Sequence, residues 1–412
     1  MSPKALLPAM TAALLCSTVP VHAQQKPPPN LPDGPGKEAV QTYCSGCHGL
    51  NRVVASGYPQ AYWHTAVRMM LNFGVVIPPD QVILISDYLA KNFPEKPKPV
   101  ASIIPGPAQV NIKEWQVPIP GSRPHDPLAT RDGAIWYTGQ LSNRLGRVNP
   151  KPGEIKEYPL KTPQTAPHGL VEDKQGNIWF TGNNTSIVGK LDPKTGNVTE
   201  YKMPDPKAKD PHSLAFDQSG ILWFTLQQSN MIGRLDPATG EIRLMTSPTP
   251  RSRPYGIMVN SKGVPFVALF GTNKIASIDP QTLAIREYTL PDPKARPRRI
   301  AFASDNIVWY SDFPRGYLGR LDPATGQVTE WQSPGGPRSE PYGIVAAKEV
   351  IWYSESGVKP NTVVRFDPKT QKFQTWAIPS GGYIVRKMDV TPDGNPVLAN
   401  STVNGVALIE VK

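Results

Sequence analysis

The chain has 412 residues, 19% of them charged and 39% hydrophobic, with 48 prolines and a formal net charge of +11. That balance belongs to a globular protein too long for a single core, so more than one domain is expected. The positive charge is dispersed, with no long Lys/Arg run and no basic helix; this argues against nucleic acid and favours anionic substrates or an acidic redox partner.

Residues 1–23 have the layout of an export signal. Lys4 supplies the positive start, Leu6 to Leu15 the apolar stretch, and Val21-His22-Ala23 a small-residue cleavage site. The stretch is too short to span a bilayer, and no later segment qualifies. Cys16 is preceded by Leu15 rather than a small residue, so cleavage after Ala23 is expected instead of lipid anchoring. The mature protein is then periplasmic, with Cys44 and Cys47 as its only cysteines.

Residues 24–94 are expected to form a small all-α domain. Gly36 to Tyr43 reads as a short helix leading into Cys44-Ser45-Gly46-Cys47-His48. Pro59 to Phe73 places Trp63, Val67 and Met70 on one helical face, and Pro78-Pro79-Asp80 opens a third helix running to Phe93. The C-x-x-C-H string has four readings. Zinc needs four ligands, and there is no second cysteine pair. A redox dithiol expects a βαβ neighbourhood. A plain disulfide has no need of His48. One covalent haem c uses all three residues, with two thioethers from Cys44 and Cys47 and His48 as proximal iron ligand. Met70 is the expected sixth ligand, ahead of Met69 and His64.

Residues 95–108 are proline-rich and read as a semi-rigid linker. From 109 to 412 a unit recurs. Trp136, Trp179, Trp223, Phe266, Trp309, Trp352 and Val397 are spaced by 43, 44, 43, 43, 43 and 45 residues, in short strand-like segments between turns. Seven such units predict an all-β seven-bladed propeller with four strands per blade. The last unit is one strand short, and residues 110–118 supply it, so the N-terminal strand is expected to close the ring. The recurrent Trp reads as packing between blades.

Each inner strand opens on a proline in six units, followed by His125, His168, His212, Tyr255, Arg298 and Tyr342; Arg386 is the expected seventh equivalent. Three histidines on one mouth can bind copper, zinc, iron or magnesium together with Glu340 and Glu355, or act as bases near neutral pH. Arg298, Arg299 and Arg386 can hold an anion. Asp312, Glu355 and Asn400 end the second strands of adjacent blades.

Two resemblances stand beside this reading. CSGCHGL, then Trp63, Val67, Met70 and Gly74, then DYLAKNFP resemble the small cytochrome c domains appended to periplasmic dehydrogenases, including quinohaemoprotein amine dehydrogenases. This implies haem c, with Met70 as its methionine ligand. The unit APHGLVEDKQGNIWFTGNNTSIVGKLDPKTGNVTEYKMP resembles a blade of the streptogramin (virginiamycin B) lyase family, across all seven units. The resemblance implies a seven-bladed propeller that opens a cyclic depsipeptide by magnesium-dependent C–O elimination, with two glutamates on the metal and a histidine base. The matching blade reads Glu340-Pro341-Tyr342-Gly343 and later Glu355-Ser356; Tyr342 replaces the histidine and Ser356 the second glutamate. The first expectation is therefore a periplasmic oxidoreductase whose propeller binds a small substrate and whose haem relays electrons to a soluble or membrane-bound partner. A metal-dependent lyase is the alternative, and a non-catalytic electron-transfer or docking module the second alternative.

Overall fold

The structure, a computed structural model, describes residues 30–412 apart from 47, 48 and 73. The expected leader, Cys47, His48 and Phe73 lie outside the described residues.

Four helices form the N-terminal unit: α1 (Lys37–Cys44), α2 (Asn51–Ala55), α3 (Gln60–Asn72) and α4 (Pro79–Asn92). Proline in the first turn of α4 fixes φ where no intrahelical donor is needed, and Asp80 and Lys91 complement the helix dipole. Val40, Trp63, Val67, Ile85, Tyr88 and Leu89 make the core of the unit, and the Trp63 indole donates to the Phe93 carbonyl at 2.8 Å. The three helices expected from periodicity are present. The single turn of α2 had no such signal, because five residues are too few to show a period.

The rest is a ring of four-stranded antiparallel sheets, seven among the described residues. The inner strands begin at Pro124, Pro167, Pro211, Pro254, Pro297, Pro341 and Val385, in blades 1 to 7 respectively. Val110–Gln116 pairs with Gly405–Val411 as the outer strand of blade 7, Val110 opposite Val411, so the first strand closes the ring as expected. No helix among the described residues is long and apolar enough to cross a membrane.

The repeated Trp is packing. Trp179 of blade 2 lies in one cluster with Leu214, Leu222 and Phe224 of blade 3, and Trp309 of blade 5 in another with Ile344 and Tyr353 of blade 6. Each indole buried in this way contributes on the order of 4–5 kcal/mol of apolar transfer. Beside the Trp, an aromatic ring covers a glycine of the next strand: a Cβ on Gly146 would stand 2.0 Å from Tyr137. The hydroxyl that follows in the same strand ties blades together. Thr181 Oγ1 accepts from Gly169 N (2.8 Å) and donates to the His212 carbonyl of the next blade (2.7 Å). Thr138, Thr225, Ser311 and Ser354 repeat this stitch.

The proline-rich linker is held down as a strap. It runs along blade 6, where Thr375 Oγ1 donates to the Ser102 carbonyl at 2.6 Å and accepts from Ile104 N at 2.7 Å. The helical unit is latched to the propeller by Asn72 donating to the Pro120 carbonyl (3.0 Å), by Tyr62 stacked on Tyr383 (5.5 Å), and by Glu95 between Lys359 and Tyr383. Gly121, at φ +74, allows the close approach: a Cβ there would meet Met69 N at 3.0 Å.

Candidate functional site

The site is built by a bulge repeated at the start of each inner strand. In blade 1 the register slips between Pro124 and Pro127, and the same slip recurs at the other inner strands. An extra residue is thereby spent on the channel side, and the second and third residues of the strands form two tiers. Arg386 is the second residue of the blade 7 strand, as expected.

The mouth tier is a continuous arc of groups in tilted contact. Ring centroids are 3.9 Å apart for His125–His168, 3.8 Å for His168–His212 and 4.0 Å for His212–Tyr255. The Arg298 guanidinium follows, 3.7 Å over Tyr342, 4.2 Å over Phe313, 4.7 Å over Phe270 and 5.1 Å over Tyr255. The Tyr255 and Tyr342 hydroxyls share a short hydrogen bond. The histidines and tyrosines are buried, whereas Arg298 and Arg386 are half-buried and form the more open part of the ring. Among the described residues no carboxylate forms a salt bridge with Arg298, Arg386 or Arg123, although the neighbouring tier and rim have their own pairs. The Nε atoms of Arg298 and Arg386 are buried without a hydrogen-bond partner.

The electrostatics separate the two tyrosines. Burial alone would raise the Tyr342 phenol, but Arg298, Arg386 and Arg299 outweigh it and bring it down to about 8. Burial raises Tyr255 to about 12. Burial also holds His125, His168 and His212 well below the ordinary imidazole value, so the three are neutral.

The deeper tier contains Asp126, a residue the sequence reading passed over. Its Oδ1 is 2.8 Å from His125 Nδ1 and 3.2 Å from Arg299 Nη2, and its Oδ2 is 3.6 Å from Lys387 Nζ. Arg299 also donates to Ser213 Oγ at 2.8 Å. Burial opposes the charge, but Arg299, Lys387 and the two nearby histidines keep the Asp126 carboxyl well below its usual range.

Ligand atoms of His125, Asp126 and His168 come within 4.8 Å of one another. His212 stands outside that group, its Nδ1 3.0 Å from Ser213 Oγ. Arg299 and Lys387 already occupy the Asp126 carboxylate, so a cation would have to displace two cations. Glu355 is fully buried and accepts from Ser333 Oγ, Gly335 N and Thr362 Oγ1, each at 2.6 Å. Asp312 holds Arg296 N and Arg315, and Asn400 donates to Glu114. These strand ends serve the rim of the propeller rather than the channel. Glu340 is half-buried, and burial raises its carboxyl against the pull of Lys98 and Arg298.

The residue before the inner proline is strained. Arg123, Ala166, Asp210, Arg253 and Glu340 all sit at φ between 50° and 59°, although proline disfavours such conformations in its predecessor. Strain of this kind fixes the direction in which the rim side chains leave the backbone.

A second concavity lies against the helical unit. Cys44, Tyr58, Trp63, Val67, Met69 and Met70 line it, together with Arg123 and Leu141 of the propeller, and it is partly open to solvent. His64 is not in this lining; its Nε2 faces Asp87 at 3.4 Å.

Fold and site together define a seven-bladed propeller whose channel mouth joins neutral imidazoles, a tyrosine pair and arginines that have no carboxylate partner among the described residues. Residues 101–410 match the virginiamycin B lyase family, and the chain belongs to that family. It is similar to a streptogramin B lyase structure, with 27% identity over 74% of this chain and 98% of that one at a TM-score of 0.68. The virginiamycin B lyase of Staphylococcus aureus shares the fold at 24% identity, covering 73% and 99% with a TM-score of 0.67. Hydrazine synthase of Kuenenia stuttgartiensis also shares the fold, at 13% identity, 71% and 95% coverage and a TM-score of 0.58. No curated protein matches the chain.

Proposed function

We propose that the channel mouth binds a small anionic substrate and breaks a C–O bond by proton-transfer elimination, with Tyr342 as the base. The observation that carries this reading is the divergence of a hydrogen-bonded tyrosine pair, of which Tyr342 stands at the position that the family resemblance gives to histidine: Tyr342 is lowered to about 8 and Tyr255 raised to about 12. Two linked groups pushed apart in this way supply an acid and a base at one pH. The Tyr342 phenolate takes the proton α to a carboxylate, the C–H electron pair becomes the C=C bond, and the C–O pair leaves on oxygen. The Tyr255 phenol protonates that oxygen, and the shared hydrogen bond returns the proton between turnovers. Arg298 neutralises the substrate carboxylate and the charge that develops on it. That is the role the family resemblance gives to magnesium; here Glu355 is committed to Ser333, Gly335 and Thr362.

The test is a panel of carboxylate-bearing esters and lactones, compared with the same compounds carrying the carboxylate as its methyl ester, followed by the appearance of the conjugated alkene. Turnover of acidic members is expected, lost at least ~100-fold in Tyr342→Phe. Equal turnover by wild type and Tyr342→Phe would overturn the assignment.

A second reading is favoured by the cavity beside Cys44. Its apolar wall, the cysteine on it and two methionines facing the same space suit a haem c held by Cys44, Cys47 and His48, with Met70 or Met69 as the second axial ligand. When bound, the haem would supply one-electron transfer. Burial pushes the Cys44 thiol up to about 11, which suits a cysteine placed for apolar contact rather than for free thiol chemistry. In this reading the exported protein is an oxidoreductase or electron carrier, and the channel holds its substrate. Covalent porphyrin in protein matured by a host that attaches haem c is the expected result; its absence would remove the reading.

A further inference from the structure

Two arginines at the seam between the helical unit and the propeller lack the anion that their setting requires. Arg123 leaves the strained turn before Pro124 and lines the Cys44 cavity. Arg386 is the neighbouring member of the mouth ring, within electrostatic reach of Arg123 and of Tyr58 on the cavity wall. Neither forms a salt bridge among the described residues, and the Arg386 Nε is buried with no partner. Burial, then Arg386, lowers the Arg123 guanidinium to about 10. Two partly desolvated like charges are costly unless an anion compensates them. Elsewhere in this propeller such costs are met: Arg299 has Asp126, and Arg315 has Asp292, Asp312 and Glu330.

We propose that Arg123, on the cavity wall, and Arg386, beside it in the mouth ring, form a carboxylate clamp that would hold the propionates of a haem bound beside Cys44. The clamp rests on the haem reading. Planar guanidinium forks suit paired carboxylates, and Arg123 belongs to the cavity while Arg386 belongs to the ring. The ring and the cavity are then one electrostatic unit, and the positive charge of the channel mouth favours the reduced cofactor.

The test uses the full chain matured with haem c, as wild type, Arg123→Met, Arg386→Met, the double variant, Arg123→Lys and the surface control Arg243→Met. Covalent haem is read by mass and absorbance, folding by thermal melting, and midpoint potential by spectroelectrochemistry. Haem content is expected to stay unchanged. The midpoint should fall in each single Met variant and fall furthest in the double, recover partly in Arg123→Lys and stay put in Arg243→Met. Succinate, added to wild type, should leave it unmoved. Haem bound with midpoints unchanged in all variants would overturn the clamp alone. A midpoint that moves only with succinate would assign the arginines to a diffusible carboxylate and overturn the propionate role. Protein without covalent haem would overturn both the clamp and the reading beneath it.

Discussion

The two tiers of the channel carry similar charges and treat them differently. In the deeper tier Asp126 meets Arg299, Lys387 and His125, so its charges satisfy one another across blades 1, 5 and 7. In the mouth tier Arg298 meets aromatic faces, and among the described residues neither Arg298 nor Arg386 forms a salt bridge with a carboxylate. Charges matched within the protein hold the ring together; unmatched ones are set for a ligand. The deeper tier is therefore assigned to architecture and the mouth to function.

Substitutions can break this contrast. The largest stability effect is expected at Asp126. Asp126→Ala leaves the buried Arg299 and the half-buried Lys387 uncompensated, which costs about 3–5 kcal/mol, read as a lowered urea midpoint. Should the protein tolerate that change with less than about 1 kcal/mol of loss, the deeper tier is not structural. Tyr342→Phe is expected to do the reverse, with turnover down at least ~100-fold and thermal stability nearly unchanged. The wild-type rate should rise with pH through about 8, because the base acts as phenolate, and that limb should vanish in the variant. Thr181→Val removes one interblade stitch and leaves Gly169 N and the His212 carbonyl unpaired, for about 2 kcal/mol. The smallest stability effect belongs to Arg298→Met, which removes a cation that no carboxylate pairs among the described residues and leaves a long apolar side chain against the same rings. Stability should hold within about 0.5 kcal/mol, while the Tyr342 ionisation moves back up; unchanged ionisation would separate the arginine from the base.

Much of this was legible in the sequence. Spacings of 43 to 45 residues fixed the blade count, and the missing strand of the last unit located closure at residues 110–118. Pro124-His125 and its counterparts marked the mouth tier, because proline opens a strand where no ladder donor is needed. Asp126 was not legible. Its position holds glycine in blades 2, 4 and 6, and the partner that defines it, Arg299, lies 173 residues away. The partners of Glu355 were hidden for a related reason: its strand position suggested a channel ligand, and Ser333 and Thr362, which hydrogen-bond its two oxygens, come from the neighbouring loop and strand. Helical periodicity favoured Met70 over Met69, yet both line the cavity, since a wide concavity reaches across adjacent faces of α3.

The central claim is that Tyr342 is an ionisable base at working pH. Near-ultraviolet difference titration of wild type against Tyr342→Phe measures it without any substrate. A single phenolate appearing with a midpoint near 8, absent from the variant, is the expected result. A titration identical in both proteins, with no ionisation until the ordinary tyrosine range near 10, would contradict it.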